Sequence, residues 1–276
     1  MALVDAGLVR LEYFDVGSGD PTVVLVHGAS SSARIWHTVQ VLLAQAGMRS
    51  LAVGMRGAGG SDRTTRLEDY TPSTYASDLS TALDALQVRR FVLVGHSLGV
   101  AVALEYMKEH AHESEVQALV LVAGGAGSAR AAADANQVKQ LEEALAATAS
   151  EGEATRRALW EPNHLGLPEE VRDELWKDIQ NNPRERLLGQ RMFARPDMTQ
   201  TLATMSVPTL VTAGDADGTV PIEATVQGYL KLPEEHRNLH IFYGISHFPN
   251  AQVPADLTAV MGDFIRNSVP SGTLAT

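Results

Sequence analysis

Directly after the apolar run Phe91-Val92-Leu93-Val94 the chain reads Gly95-His96-Ser97-Leu98-Gly99, and these five residues constrain the fold more than any others. A short buried strand that passes through G-x-S-x-G into a helix holds a serine on a sharp turn with its hydroxyl exposed. Gly95 and Gly99 flank the serine where a β-carbon would collide with neighbouring backbone. The next residues, Val100-Ala101-Val102-Ala103-Leu104, continue as an apolar helix to be buried against a sheet. The pentapeptide alone is weakly specific, since small and apolar residues recur by chance. The strand before it and the helix after it strengthen it, and the rest of the chain must supply a base and an acid.

Short apolar runs alternate with helical patterns, which predicts a mostly parallel sheet wrapped by helices. Strands are expected at Val9–Phe14, Thr22–Val26, Ser50–Val53, Phe91–Val94, Ala118–Ala123, Thr209–Ala213 and Leu239–Tyr243. Several, such as Val23-Val24-Leu25-Val26, are apolar at successive positions, as strands covered on both faces should be. Helices fit at Ala33–Ala46, Thr74–Leu86, Leu98–His110, Ile222–Leu230 and Pro254–Arg266. Between Ala123 and Thr209 the alternation stops. Gly124-Gly125-Ala126-Gly127 leads into helical spacing over Ala131–Thr148, Glu151–Trp160 and Pro168–Gln180, punctuated by Pro162, Pro168, Pro183 and Pro196. This stretch is expected to be a helical insertion above the sheet. The tail from Ser268 onward is expected to fray.

Composition narrows the function classes. A chain of 276 residues suits one large α/β domain or a core with a modest insertion. The formal charge of −11 argues against nucleic acid or an anionic membrane as the main partner. The absence of cysteine excludes disulfides, thiolate metal sites and a cysteine nucleophile. No H-E-x-x-H or clustered His/Asp spacing implies a metal, and no cofactor is expected. Neither a signal-peptide pattern nor an uncharged apolar stretch of about 20 residues is visible, so a soluble cytoplasmic protein is expected, as monomer or homodimer.

A serine hydroxyl needs a base within hydrogen-bond reach and an acid to orient that base. Among nine histidines, His247 stands out: it follows the strand Leu239–Tyr243 and the Gly244 turn, where functional groups of an open α/β sheet gather. His27 precedes Gly28 in a loop with another role. His110, His112, His164 and His236 lie in or beside charged, surface-like segments. His37, His240 and His96 read as packing residues. For the acid, Thr209–Ala213 runs into Gly214-Asp215-Ala216-Asp217-Gly218, with two aspartates just past the strand end. Spacing alone leaves the choice between them open, and the other aspartate would cap the turn.

The order Ser97…Asp217…His247 is that of α/β-hydrolases and differs from both serine-protease orders. The chain resembles the α/β-hydrolase superfamily of serine hydrolases over residues 9–125 and 205–266. The resemblance places the family's G-x-x-D at Gly214-Asp215-Ala216-Asp217, which points to Asp217, and its histidine motif at Ser246-His247-Phe248-Pro249. It implies an α/β-hydrolase fold, a mostly parallel central sheet flanked by helices with a helical cap inserted after strand 6. Residues 1–125 and 205–276 would be the core domain and 126–204 the cap. Ser97, Asp217 and His247 would be the catalytic triad.

A tetrahedral intermediate needs two positioned donors. The first is expected at the N–H of Leu98, on the positive end of a helix, and the second in His27-Gly28-Ala29-Ser30. By resemblance to the family's H-G-x turn this second donor is the N–H of Ala29, with His27 bracing the loop. Ser30-Ser31-Ser32 would N-cap the following helix, although a Ser30 hydroxyl aimed at substrate is the functional alternative. One segment departs from the family. Gly54-Met55-Arg56-Gly57-Ala58-Gly59-Gly60-Ser61 resembles D-x-R-G-x-G-x-S with glycine in the acidic position. Since that acid is usually structural, a rearranged loop is expected. The glycines are no phosphate cradle, lacking the lysine such loops carry.

Candidate pocket residues are Ser30, Trp36, Leu98, Trp160, Met192, Phe193, Val220 and Phe248, of which only Leu98 and Phe248 flank catalytic residues. Arg184, Arg186, Arg191 and Arg195 are expected on a solvated helix face; one turned inward would favour a substrate with a second carboxylate. Three functions follow. The first is hydrolysis of a small carboxylic ester, lactone or amide through an acyl-enzyme, the partner being a small-molecule acyl substrate. The second is carbon–carbon hydrolysis of ring-cleavage diketones, whose enzymes often show asparagine before the serine and tryptophan after the histidine, where this chain has His96 and Phe248. The third is a non-turnover ligand receptor on the same scaffold. Ser97 excludes the related enzymes that use an aspartate nucleophile.

Overall fold

The computed structural model describes residues 2–29, 31–111, 115–125, 133–146, 167–192 and 196–269. Its centre is an eight-stranded sheet made of β1 (Ala2–Asp5), β2 (Arg10–Val16), β3 (Thr22–Val26), β4 (Ser50–Val53), β5 (Arg90–His96), β6 (Glu115–Val122), β7 (Thr209–Gly214) and β8 (Arg237–Phe242). The spatial order is β1-β2-β4-β3-β5-β6-β7-β8. Only the β1/β2 and β2/β4 pairings are antiparallel. Among the described residues the helices between strands are α1 (His37–Gln45), α2 (Pro72–Ala85), α3 (Leu98–Glu109), α4 (Ala135–Ala146), α5 (Glu169–Gln180), α6 (Arg184–Met192), α7 (Thr199–Ala203) and α8 (Ile222–Tyr229), and α9 (Pro249–Gln252) and α10 (Pro254–Ser268) follow β8.

The unbroken apolar runs have the predicted cause. Val24 and Val26, with Phe91 and Leu93, pack on one face beneath Tyr75 and Leu79 of α2 and Val102 of α3. Val23 and Leu25, with Val92 and Val94, pack on the other beneath Leu43 of α1 and Leu257 and Met261 of α10. Side chains alternate faces along a strand, so a sheet covered on both sides needs apolar residues at consecutive positions. Helix starts follow capping chemistry. Ser32 accepts the Arg34 N–H to open a 3-10 turn over Ala33–Trp36, and Thr71 accepts the Thr74 N–H with Pro72 at the first position of α2.

The chain runs from β3 out to β4, then crosses back to β5 on the other side of β3. That reversal opens a crevice beyond the carboxyl ends of β3 and β5, where open α/β sheets bind ligands. Between β6 and β7 the described residues hold helices and no strand. There α6 packs on the 3-10 turn Leu67–Asp69, α4 packs on α6, and α7 packs on α3. The expected helix Glu151–Trp160 lies outside the described residues, as does the tail beyond Val269. No helix among the described residues is long and apolar enough to cross a membrane.

Candidate active site

β5 ends at His96 and α3 begins at Leu98, so Ser97 makes the whole turn. Its backbone sits at φ 53°, ψ −112°, a region disfavoured for any residue with a β-carbon, and its N–H is fastened to the Val122 carbonyl at 2.9 Å. The flanking glycines are steric necessities. A β-carbon on Gly95 would overlap the Gly99 carbonyl, and one on Gly99 would lie 2.5 Å from the Val26 carbonyl oxygen and 2.8 Å from that of His27.

The turn brings Ser97 Oγ to 2.9 Å from His247 Nε2, and His247 Nδ1 lies 2.8 Å from Asp217 Oδ2. An ionised carboxylate only accepts, so Nδ1 carries the proton and Nε2 is left to accept from the serine hydroxyl. The Asp217 side chain is fully buried, and its Oδ1 accepts the N–H groups of Thr219 at 2.7 Å and Val220 at 2.9 Å. Burial alone would raise its pKa. The hydrogen bond and charge of His247, with the Val220 and Thr219 N–H groups, outweigh that and hold it below the usual carboxylate range. Asp215 does something else: its Oδ1 accepts the Gly244 N–H at 2.6 Å and caps the turn before His247.

The loop after β3 faces this chain of bonds. Met55 N–H donates to His27 Nε2 at 3.0 Å, so Nδ1 is the donor to the Gly28 carbonyl at 2.8 Å. Burial, with the positive charge of Arg186 adding to it, holds His27 well below the usual imidazole range, and the neutral ring braces the loop. Among the described residues the Ala29 N–H makes no hydrogen bond. The Leu98 N–H, first in α3, has no intrahelical acceptor. A β-carbon on Gly28 would lie 3.1 Å from the Ser97 Cβ, so this loop runs directly beside the serine.

Other predicted residues distribute differently. His96 is buried; its Nε2–H donates to the His247 carbonyl at 2.8 Å, and its ring packs against His247 and Phe248, so it props the histidine loop. Phe248 is buried and ties that loop to Leu175, Trp176 and Ile179 of α5. Val220 borders Asp217 through its N–H. Trp36 is fully buried in the core cluster on one face of the sheet, edge-on to His96. Met192, at the exposed end of α6, is not brought to the serine by any described contact. Ser30, Trp160 and Phe193 lie outside the described residues.

The departure at Gly54 has a structural answer. Glu12 of β2 is completely buried, its Oε2 accepting the Gly60 N–H at 3.1 Å and its Oε1 the Arg34 Nη2–H at 3.0 Å. A β-carbon at Gly54 would lie 3.0 Å from the Ser61 Oγ and 3.3 Å from the Glu12 carbonyl oxygen, while the Glu12 carboxylate packs against Gly59 and Gly60 of the same turn. Ser61 completes the turn, donating to the Gly54 carbonyl and accepting from the Glu12 N–H. Two helix residues reach the loop after β3, one that sequence reading missed and one, Arg186, that it set on a solvated face with an inward turn as the alternative. Asp178 of α5 accepts the Ser32 hydroxyl at 2.5 Å, and Arg186 of α6 donates to the Ser31 carbonyl at 3.3 Å. The density of arginines in α6 was the available signal for the second; nothing in the pattern marks the first.

Known proteins align with this architecture. The non-heme chloroperoxidase CPO-A1 of Kitasatospora aureofaciens is 28% identical over 261 residues, covering 90% of this chain and 92% of that one. A bromoperoxidase from Bacillus anthracis matches in structure with a TM-score of 0.81 at 22% identity, over 96% of this chain and 99% of its own. A thermophilic esterase from Thermogutta terrifontis matches with a TM-score of 0.77 at 24% identity, over 94% of each chain. These two likenesses concern the fold. A family model described as serine aminopeptidase, S33 (Hydrolase_4) matches residues 17–249, a span that contains Ser97, Asp217 and His247. The chain therefore belongs to the serine aminopeptidase S33 family of α/β-hydrolase enzymes.

Proposed function

We propose that the protein is a serine hydrolase that cleaves a small carboxylic ester, or a related lactone or amide, through an acyl-enzyme on Ser97. The observation that carries this is the unbroken relay from Ser97 Oγ to His247 Nε2 and from His247 Nδ1 to Asp217 Oδ2, at 2.9 and 2.8 Å. Ser97 Oγ attacks the carbonyl carbon as His247 Nε2 takes its proton. The oxyanion is received by the N–H groups of Leu98 and Ala29, and the dipole of α3 adds positive potential there. His247 then protonates the leaving group, which departs, and the acyl-enzyme remains. Water, deprotonated by the same nitrogen, releases the acid and restores Ser97. Asp217 keeps the imidazole in the productive tautomer and stabilises its charged form.

The name of the chloroperoxidase relative favours a second reading, in which hydrogen peroxide replaces water at the deacylation step and a peracid leaves. The carbon–carbon reading is less supported, since His96 and Phe248 prop the histidine loop where the diketone hydrolases often show asparagine and tryptophan. Peptide mapping after a fluorophosphonate tests the nucleophile. The adduct is expected on Ser97, and labelling confined to another residue would remove this reading. Labelling of Ser97 without turnover of any ester would favour the receptor alternative.

A further inference from the structure

Arg186 on α6 has none of its surface exposed. Its Nη2 reaches the Ser31 carbonyl, while Nε and Nη1 are buried and meet no acceptor among the described residues. A guanidinium keeps its proton, and a buried cation without a partner is strongly unfavourable. Two other arginines show the usual arrangement. Arg56, also buried, holds both oxygens of Asp78 at 2.6 Å, and Arg184 pairs with Glu142 at the surface. Asp178, the carboxyl that feels the charge of Arg186, is engaged by the Ser32 hydroxyl. Room has been made for the cation: a β-carbon on Gly57 would come within 3.0 Å of the Arg186 Cδ and 2.9 Å of the Tyr70 ring. Beside it, within hydrogen-bonding influence of the guanidinium, stands the Tyr75 hydroxyl, which accepts from Gln190 Nε2 at 2.9 Å and has no acceptor for its own proton among the described residues. Ser31, whose carbonyl Arg186 reaches, follows Ala29 by two residues, so the guanidinium sits against the same loop after β3 that borders Ser97 through Gly28.

We propose that Arg186, with the Tyr75 hydroxyl, receives a carboxylate carried by the substrate, so that the preferred ester is an anionic one. The inference rests on the serine-hydrolase reading and narrows its substrate class. The cation is fully buried in the structure, and a substrate carboxylate reaching it would supply the partner that Nε and Nη1 lack among the described residues.

Two ester pairs test it: mono-p-nitrophenyl adipate beside p-nitrophenyl hexanoate, and 4-acetoxybenzoate beside phenyl acetate. These place the charge on the acyl side and the leaving-group side respectively. The wild type is expected to prefer the charged member of at least one pair in kcat/KM. Arg186→Met should cut that preference by about tenfold or more, the worth of a charge-assisted hydrogen bond, and Tyr75→Phe by several-fold. Calorimetry of monomethyl against dimethyl adipate binding to Ser97→Ala gives a readout independent of turnover and of how well Arg186→Met folds. Tighter binding of the monoanion, lost on adding Tyr75→Phe or Arg186→Met, supports the proposal. Equal binding of the two adipates, no preference in either pair, or a preference that survives Arg186→Met would overturn it. Stabilisation of the wild type by chloride or inorganic phosphate, without any ester preference, would also overturn it by making the partner a free ion. Hydrolysis of the neutral esters reports separately on the serine-hydrolase reading.

Discussion

Replacing Asp217 by asparagine should disable the base while leaving the fold intact, and the structure says why. Asp217 Oδ1 is pinned by the N–H groups of Thr219 and Val220, so the one oxygen of an asparagine amide must remain there. Its NH₂ then points at His247 Nδ1, which has to accept instead of donate. The imidazole is driven into the other tautomer, with its proton on Nε2 facing Ser97 Oγ, and it can no longer take the serine proton. Loss of the base and of the counter-charge to the imidazolium should lower kcat by about four powers of ten, or about 5 kcal/mol of transition-state stabilisation. The packing is isosteric, so the midpoint of thermal unfolding should move by only a few degrees. Steady-state hydrolysis of p-nitrophenyl acetate, with the rate of fluorophosphonate labelling as a second measure, checks this. A variant within tenfold of wild type would refute the tautomer argument and with it the role assigned to Asp217.

Two further substitutions probe the scaffold. Gly99→Ala puts a β-carbon against the backbone oxygens of Val26 and His27 and should cost about 3 kcal/mol or more in urea unfolding; an unchanged midpoint would contradict the steric reading. Glu12→Ala strips the acceptor from the Gly60 N–H and the partner from the half-exposed Arg34, and should cost about 2 kcal/mol. Adding Gly54→Asp to that variant should restore part of the loss by returning a carboxylate to the turn, whereas a further loss would show that Glu12 does not stand in for it.

The sheet was legible wherever burial on both faces wrote an unbroken apolar run. β3, β4, β5 and β7 contain the predicted strands, and β6 starts three residues earlier and ends one residue short of its prediction. β1 was missed because three of its four residues are exposed and it pairs only with β2 at the sheet edge. β8 starts two residues early, at Arg237, for a similar reason: an edge strand with partly exposed residues carries little hydrophobic signal. In the stretch between β6 and β7, α4 and α5 fall within predicted helices, while α6 was expected only as a solvated helix face carrying Arg184, Arg186 and Arg191, without bounds. That same reading failed at Arg186, whose burial depends on packing against Gly57 and Tyr70, far away in sequence. Glu12 was unreadable in the same way, because a glutamate in an alternating strand normally faces water. The site fared better. Strand-end logic located Ser97 and His247 and narrowed the acid to two aspartates, and only the hydrogen bonds of Asp215 to Gly244 and Asp217 to His247 separate them geometrically.

The most direct test of a Ser97 nucleophile is the initial rate on p-nitrophenyl esters of increasing acyl length, with wild type beside Ser97→Ala. The wild type should turn over the short esters. Ser97→Ala should fold normally and lose kcat by several powers of ten, the remainder resting on binding and the oxyanion donors. A well-folded Ser97→Ala that keeps a rate close to wild type would contradict the account.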